Sequence, residues 1–396
     1  MLRRSLFFLG LCGLSLAQDL SVPSSWREPT NSRSSSDRVT IAQNAINVIL
    51  GQLDSSDAQF NGIGWWQSGN VWSVLANQDH ITSTTTNKNN VVNALNTGWS
   101  LFANYDQYHT TTTHCGGPQP RTTRTGLTET PICCNMLLIR GTTSQYYTDD
   151  VGNSQITDAE ASSGSIPGKS FSIEGSCNGA TMSGGVFWRP TSDDQGINSI
   201  TTGLGAYLAD ATGDSKYANA ASAAATWIRS HNINSDNIVL DTVNGHDCST
   251  SPSSWLFTYN SGKYIEGLSV LADVTGDSSW RDLAVNIIAA ATHTSAWQGS
   301  NGVITEGASP DSNNDGVGFK AVFIRGLHEA WTRSASNTDL RNLIRAYIDV
   351  QYNALLELAA NGDSYSSSWT GPPQSFTTWG QLAALDVLTA AIDVNN

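Results

Sequence analysis

Positive charge is in short supply: 20 Lys and Arg stand against 34 Asp and Glu in 396 residues, a formal net charge of −14. With no basic stripe to neutralise phosphates, a nucleic-acid partner is not expected. Charged residues of either sign amount to 14%. Disorder is nonetheless argued against, because aromatic residues are plentiful, 13 of them Trp, and spread along the chain. Beyond the N-terminus no apolar run is long enough to cross about 30 Å of hydrocarbon. Leu382–Ile392 is interrupted by Asp386, and no small-residue site precedes an apolar tail, so neither a membrane span nor a lipid anchor is expected. Asn-x-Ser/Thr sequons are missing, and N-glycosylation is not expected. The seven His show neither metal-ligand spacing nor a Ser-His-Asp context. Asp311-Ser-Asn-Asn-Asp315-Gly316 opens like a calcium loop, but Val322 stands where such a loop needs a bidentate Glu. No metal and no cofactor are expected.

What is present begins with a leader. Arg3 and Arg4 precede the apolar Leu6–Leu14, and Ser15-Leu16-Ala17 forms a small-x-small cleavage site. Residues 1–17 read as a secretory signal peptide and 18–396 as a single domain, monomeric and extracellular or wall-associated. Six Cys occur, and Cys12 leaves with the leader. Cys177 and Cys248 stand isolated in ordinary sequence, which suits one structural disulfide in an oxidising compartment.

From Gly184 onward the chain repeats itself. Leu208-Ala-Asp-Ala-Thr-Gly-Asp-Ser215 recurs as Leu271-Ala-Asp-Val-Thr-Gly-Asp-Ser278. Apolar helical patterns follow at Tyr217–Ile228 and Trp280–Ala291. Gly213 and Gly276 suit left-handed C-caps, and Asp214 and Asp277 suit the N-caps of the next helices. Each copy is therefore a helix, a tight turn and an antiparallel helix. A period near 60 residues implies helix pairs stacked in an array or closed into a ring. Further helical patterns cover Val39–Leu53, Trp65–Ala76, Val91–Tyr105, Gly318–Trp331, Asp339–Leu358 and Thr377–Ile392, while strand-like alternation is scarce. The fold class is all-α.

Thr110 to Ser154 breaks the pattern. It holds four consecutive Thr, Cys115, Cys133 and Cys134, several Pro and Arg, and no apolar period. Forty-odd structureless residues inside a compact domain argue against reading it as an ordinary loop.

Several segments in order resemble glycoside hydrolase family 76, the endo-α-1,6-mannanases and their fungal cell-wall relatives. They are Gly64-Trp65-Trp66-Gln67-Ser68-Gly69-Asn70, Gly184-Gly185-Val186-Phe187-Trp188-Arg189, Asn198, Trp255-Leu-Phe-Thr258-Tyr259-Asn260-Ser-Gly262, Gly302–Glu306, and Asp315 with Phe319-Lys320. The resemblance implies an (α/α)6 toroid, which the repeat also favours. It further implies a retaining glycosidase with two adjacent aspartates, one nucleophile and one acid/base, acting on α-mannan or a related wall glycan. A retaining mechanism wants two carboxyls about 5–5.5 Å apart flanking the glycosidic bond. Their pKa values must separate so that one stays ionised while the other holds a proton.

The aspartate pair should follow Tyr105-Asp-Gln-Tyr-His109 and precede a Trp-Trp pair; the chain instead reads Thr110-Thr-Thr-Thr113-His114-Cys115-Gly116-Gly117. Asp149-Asp150 is an adjacent pair, a weak substitute that stands too close to Gly184 for the helix pair expected between them. Back-translation is more informative. Thr codons are ACN and His codons CAY. Read one base earlier, this stretch permits Tyr-Asn-Asp-Asp-Ala-Leu-Trp-Trp, with the aspartates at Thr112 and Thr113. Downstream, Arg121–Glu129 and Cys133–Gly141 permit aromatic-rich helical sequence in the same frame. The expectation is a reading-frame or splice error from about His109 to Tyr147–Ile156, disrupting one helix pair around residues 110–155. The chain as written then carries no intact catalytic residue. The alternatives are a non-catalytic wall-carbohydrate-binding protein and a wall-glycan transglycosylase.

For the cleft, Trp65, Trp66, Gln67, Trp188, Arg189, Asn198, Tyr259, Asn260, Glu306 and Lys320 are the expected sugar contacts. Flat aromatic faces stack on pyranose rings and amides bond hydroxyls. Asp193-Asp194, before Gln-Gly, reads instead as a cap or solvated turn.

Overall fold

A computed structural model describes residues 18–101, 155–308 apart from 190 and several positions between 203 and 212, and 315–396. Thr112, Thr113, Asp149, Asp150 and residues 1–17, the expected signal peptide, lie outside the described residues. The helices are α1 (Ser35–Leu50), α2 (Trp65–Thr82), α3 (Lys88–Leu101), α4 (Asp158–Ser163), α5 (Ser199–Thr202), α6 (Ser215–His231), α7 (Thr258–Thr275), α8 (Ser278–His293), α9 (Asp315–Arg333), α10 (Thr338–Ala354) and α11 (Thr378–Val394). A single π turn, Leu355–Ala359, extends α10. The described strands form only two-stranded antiparallel ladders. The one beside the site pairs Gly196–Asn198 (β1) with Thr242–Asn244 (β2).

The expected local signals act where they stand. Asp214 accepts from Lys216 N at the start of α6, and Asp277 from Ser279 N at the start of α8. Gly276 closes α7 at φ 71°, a conformation that costs glycine no Cβ clash. Two helix populations result. α1, α6 and α8 bury one face, as amphipathic outer helices do. α7, α9 and α11 bury nearly their whole circumference, and with α2 they are inner helices of the (α/α)6 toroid among the described residues.

Two devices hold that inner ring together. α7 and α9 cross at Gly262 and Gly326. A Cβ added at Gly326 would lie 2.0 Å from the Gly262 carbonyl oxygen, and one at Gly262 would lie 2.4 Å from Phe323 Cα. Only hydrogen fits between these backbones. Deeper in the ring, Arg325 of α9 grips Asp386 of α11 with two bonds of 3.0 and 2.9 Å and also reaches Asn70 of α2. Each of these three residues is at least nine-tenths buried. The contact therefore sets the register of three inner helices, since a buried guanidinium has no cheaper way to satisfy its donors.

Candidate active-site cleft

The inner helices point their N-termini to the same end of the ring, and the expected site residues gather there. Trp65, Trp66 and Gln67 open α2. Asn198 ends β1, just before α5. Thr258, Tyr259 and Asn260 open α7, Asp315 and Phe319 lie in the first turns of α9, and Trp379 lies in the first turn of α11. Helix N-termini carry partial positive charge and unsatisfied N–H groups, so this end of the ring favours ionised carboxylates.

The floor is aromatic. Tyr259 and Phe319 stack with centroids 4.1 Å apart and planes 14° from parallel. Phe257 packs beside Phe319 at 5.4 Å and Trp255 beside Phe257 at 6.1 Å. On the other side Trp66 lies 6.5 Å from Phe319 and 6.3 Å from Trp379. Trp255, 48% exposed, ends this row of rings on the solvent side.

A carboxylate stands on each flank of the stack. Asp241, buried just before β2, accepts from Tyr259 OH at 2.5 Å and Asn260 Nδ2 at 2.9 Å on one oxygen, and from Thr242 OH at 2.9 Å on the other. Asn198 donates to Thr242 Oγ1 at 3.1 Å and also supports the Tyr259 hydroxyl. Burial, with the Asp241 charge beside it, pushes the Tyr259 phenol well above its ordinary value, so the hydroxyl keeps its proton. Opposite, Asp315 is exposed and accepts on one oxygen from Trp66 Nε1 at 3.1 Å and Gln67 Nε2 at 2.8 Å. These two neutral donors fix its orientation.

Among the described residues the structure thus brings together Trp66, Gln67, Asn198, Tyr259 and Asn260. Trp65 is half-buried at the first position of α2. Trp188 and Arg189 sit on the chain that pairs with β1: Trp188 N donates to Gly196 O at 2.9 Å. There the Arg189 guanidinium lies 4.0 Å from the Trp188 ring, and Trp188 is 39% exposed. Lys169 fastens the loop beyond them, donating to the carbonyls of Arg189, Thr191 and Asp194 at 2.8 to 2.9 Å. Lys320 has no exposed surface, and Glu306 is half-buried with both carboxylate oxygens bonded to Thr258. Cys177 and Cys248 form a disulfide.

Three residues escaped the reading of the sequence as site members. Asp241 ends the apolar run Ile238-Val-Leu240 directly ahead of β2, and that polar residue at the end of an apolar run is the one local signal. Asp315 and Phe319 were visible as motif members without a role.

The family model for glycosyl hydrolase family 76 matches residues 172–394. The chain belongs to glycosyl hydrolase family 76. No curated protein matches it in sequence. In fold it is similar to an α-1,6-mannanase of Salegentibacter sp. HEL1_6, in an inactive variant with two consecutive aspartates replaced by alanine and in complex with α-1,6-mannotetrose. That likeness has a TM-score of 0.68 at 15% identity and covers 90% of this chain and 99% of that one. It is also similar to Dfg5 of Chaetomium thermophilum in complex with glucosamine, at TM-score 0.65 and 15% identity, covering 93% of this chain and 92% of that one. At such identities the likeness is one of fold. It agrees with the toroid that family 76 implies.

Proposed function

We propose that the gene encodes a secreted, retaining glycoside hydrolase acting on α-1,6-mannan or a related cell-wall glycan, and that the chain as written has lost its catalytic pair. The observation that carries this reading is the cleft at the N-terminal end of the inner ring, an aromatic floor flanked by oriented carboxylates and carboxamides. Such a surface matches a polyhydroxylated ligand, with apolar sugar faces on Tyr259, Phe319 and Trp66 and hydroxyls on the polar flanks.

In this reading the two aspartates belong at Thr112 and Thr113. Their place in the chain is after α3 and just ahead of the Trp-Trp pair that the shifted frame permits, an aromatic pair like the Trp65-Trp66 that opens α2. One carboxylate attacks the anomeric carbon while the other protonates the leaving oxygen, and the second then deprotonates the water that releases the glycosyl-enzyme. Threonine can do neither step. A catalytic unit missing its members loses orders of magnitude in rate, so the chain as written binds glycan without cleaving it.

Sequencing the transcript across the codons for Tyr105 to Ile173 tests this. Recovery of Tyr-Asn-Asp-Asp-Ala-Leu-Trp-Trp supports the hydrolase. Confirmation of four threonines removes the catalytic claim and puts a non-catalytic wall-carbohydrate-binding protein first. A wall-glycan transglycosylase is the third reading; products longer than the substrate would mark that activity.

A further inference from the structure

Glu306 and Lys320 stand among motif residues that suit a sugar cleft, yet their polar atoms are spent elsewhere. α7 begins at Thr258 after Phe257, whose side chain offers no cap. Glu306 supplies the cap from a distant loop: one carboxylate oxygen accepts from Thr258 N at 2.9 Å and the other from the Thr258 hydroxyl. Lys320 has no exposed surface. Its ammonium donates to the main-chain carbonyls of Glu306 at 2.9 Å and Ser367 at 2.5 Å, and it lies 4.6 Å from the Trp369 ring centroid. The two residues therefore form a chain of bonds from α9 through the 302–308 loop to the first turn of α7. Tyr259 follows Thr258 directly, and Phe319 precedes Lys320 directly. About 100° of helical rotation separates neighbours on a helix, so Phe319 faces the cleft while Lys320 faces the interior.

We propose that Glu306 and Lys320 are positioning residues: a brace beneath the floor that holds the Tyr259–Phe319 stack in register, rather than groups that touch the glycan. The brace sets an ammonium with no exposed surface beside a half-buried carboxyl, and its titration follows from that. Burial raises the Glu306 carboxyl to about 7, against the opposing pull of Thr258 and the Lys320 charge. Burial lowers the Lys320 ammonium to about 7, against the pull of Glu306. Among the described residues Tyr347 on α10 also feels Glu306, and burial keeps its phenol protonated. Acid takes the charge from the cap and alkali takes it from the ammonium. The brace is strongest near neutrality, where the two charged forms overlap.

The proposal rests on the glycan-cleft reading for its affinity readout, and a second readout keeps the two separable. In the full chain, E306Q and K320M are compared with the parent by calorimetric titration with α-1,6-mannotetraose between pH 5 and 9, with thermal melts to verify folding. The expected result is a bell-shaped affinity profile with flanks near neutrality. E306Q removes the acid flank and K320M the alkaline flank, each with a loss of at least about fivefold at the optimum, the scale of a lost charge-assisted bond. Folded variants with unchanged affinity and an unchanged profile would overturn the brace. If the parent binds no mannotetraose, the functional reading fails and the Thr258 amide resonance decides the brace alone. A titration of that resonance near neutral pH, absent in E306Q, upholds it; a resonance indifferent to pH and to E306Q overturns it.

Discussion

Removing the Asp241 carboxylate tests how the cleft is built. Three donors converge on it, the Tyr259 hydroxyl, Asn260 Nδ2 and the Thr242 hydroxyl. Asp241→Ala leaves all three without that acceptor, at about 1–3 kcal/mol for each one that stays unsatisfied. Relief of the buried charge offsets part of this. We expect a net loss near 3 kcal/mol in urea unfolding, with Asp241→Asn nearer 2 kcal/mol because the amide keeps one acceptor and turns one oxygen into a donor. Tyr259→Phe keeps the ring on Phe319 and removes one donor, so about 1 kcal/mol is expected with mannotetraose affinity almost unchanged. Asp241→Ala frees the Tyr259 ring and should weaken that affinity about tenfold, the equivalent of 1.4 kcal/mol. The double mutant should be less damaged than the sum of the singles, because both remove one bond. A loss below about 0.5 kcal/mol for Asp241→Ala would refute the reasoning, since surface substitutions without a structural role fall in that range.

Other consequences follow from the ring. Gly326→Ala drives a methyl to 2.0 Å from the Gly262 carbonyl; overpacking without room to relax should cost about 3 kcal/mol or more, read as a lowered urea midpoint or lost soluble yield. Asp386→Ala strands the buried Arg325 guanidinium and should cost about 3–5 kcal/mol in the same assay. Burial raises the Asp349 carboxyl from 3.8 to about 6, although Asn395 donates to it. The native state thus holds this proton to higher pH than the unfolded chain does. The associated stability is present below pH 4 and lost as pH rises through 6, by about 2–3 kcal/mol. The difference in unfolding free energy between parent and Asp349→Asn should follow that curve, and a flat difference would contradict the assignment.

Much of the scaffold was legible because its signals are local. Asp214, Asp277 and Gly276 mark helix ends whatever the rest of the chain does, and the apolar periods locate α1, α2, α8, α9 and α11 to within a few residues at most termini. The cleft was half legible. Trp66, Gln67, Tyr259 and Asn260 stand at helix starts, where side chains converge on one end of a ring. Asp241 was not legible as a partner of Tyr259, because 18 residues separate them and only the β1–β2 ladder carries the carboxylate to the α7 N-terminus. Lys320 shows the limit most clearly. Its neighbour Phe319 lines the floor while Lys320 is interred beneath it, and the motif they share does not say which of the two faces outward.

The central claim is tested most directly by reducing-end release from α-1,6-mannan, comparing the protein translated in the shifted frame with the chain as written. The account predicts turnover by the first, abolished when its two restored aspartates become asparagine, and none by the second. Turnover by the chain that carries Thr112 and Thr113 would contradict it.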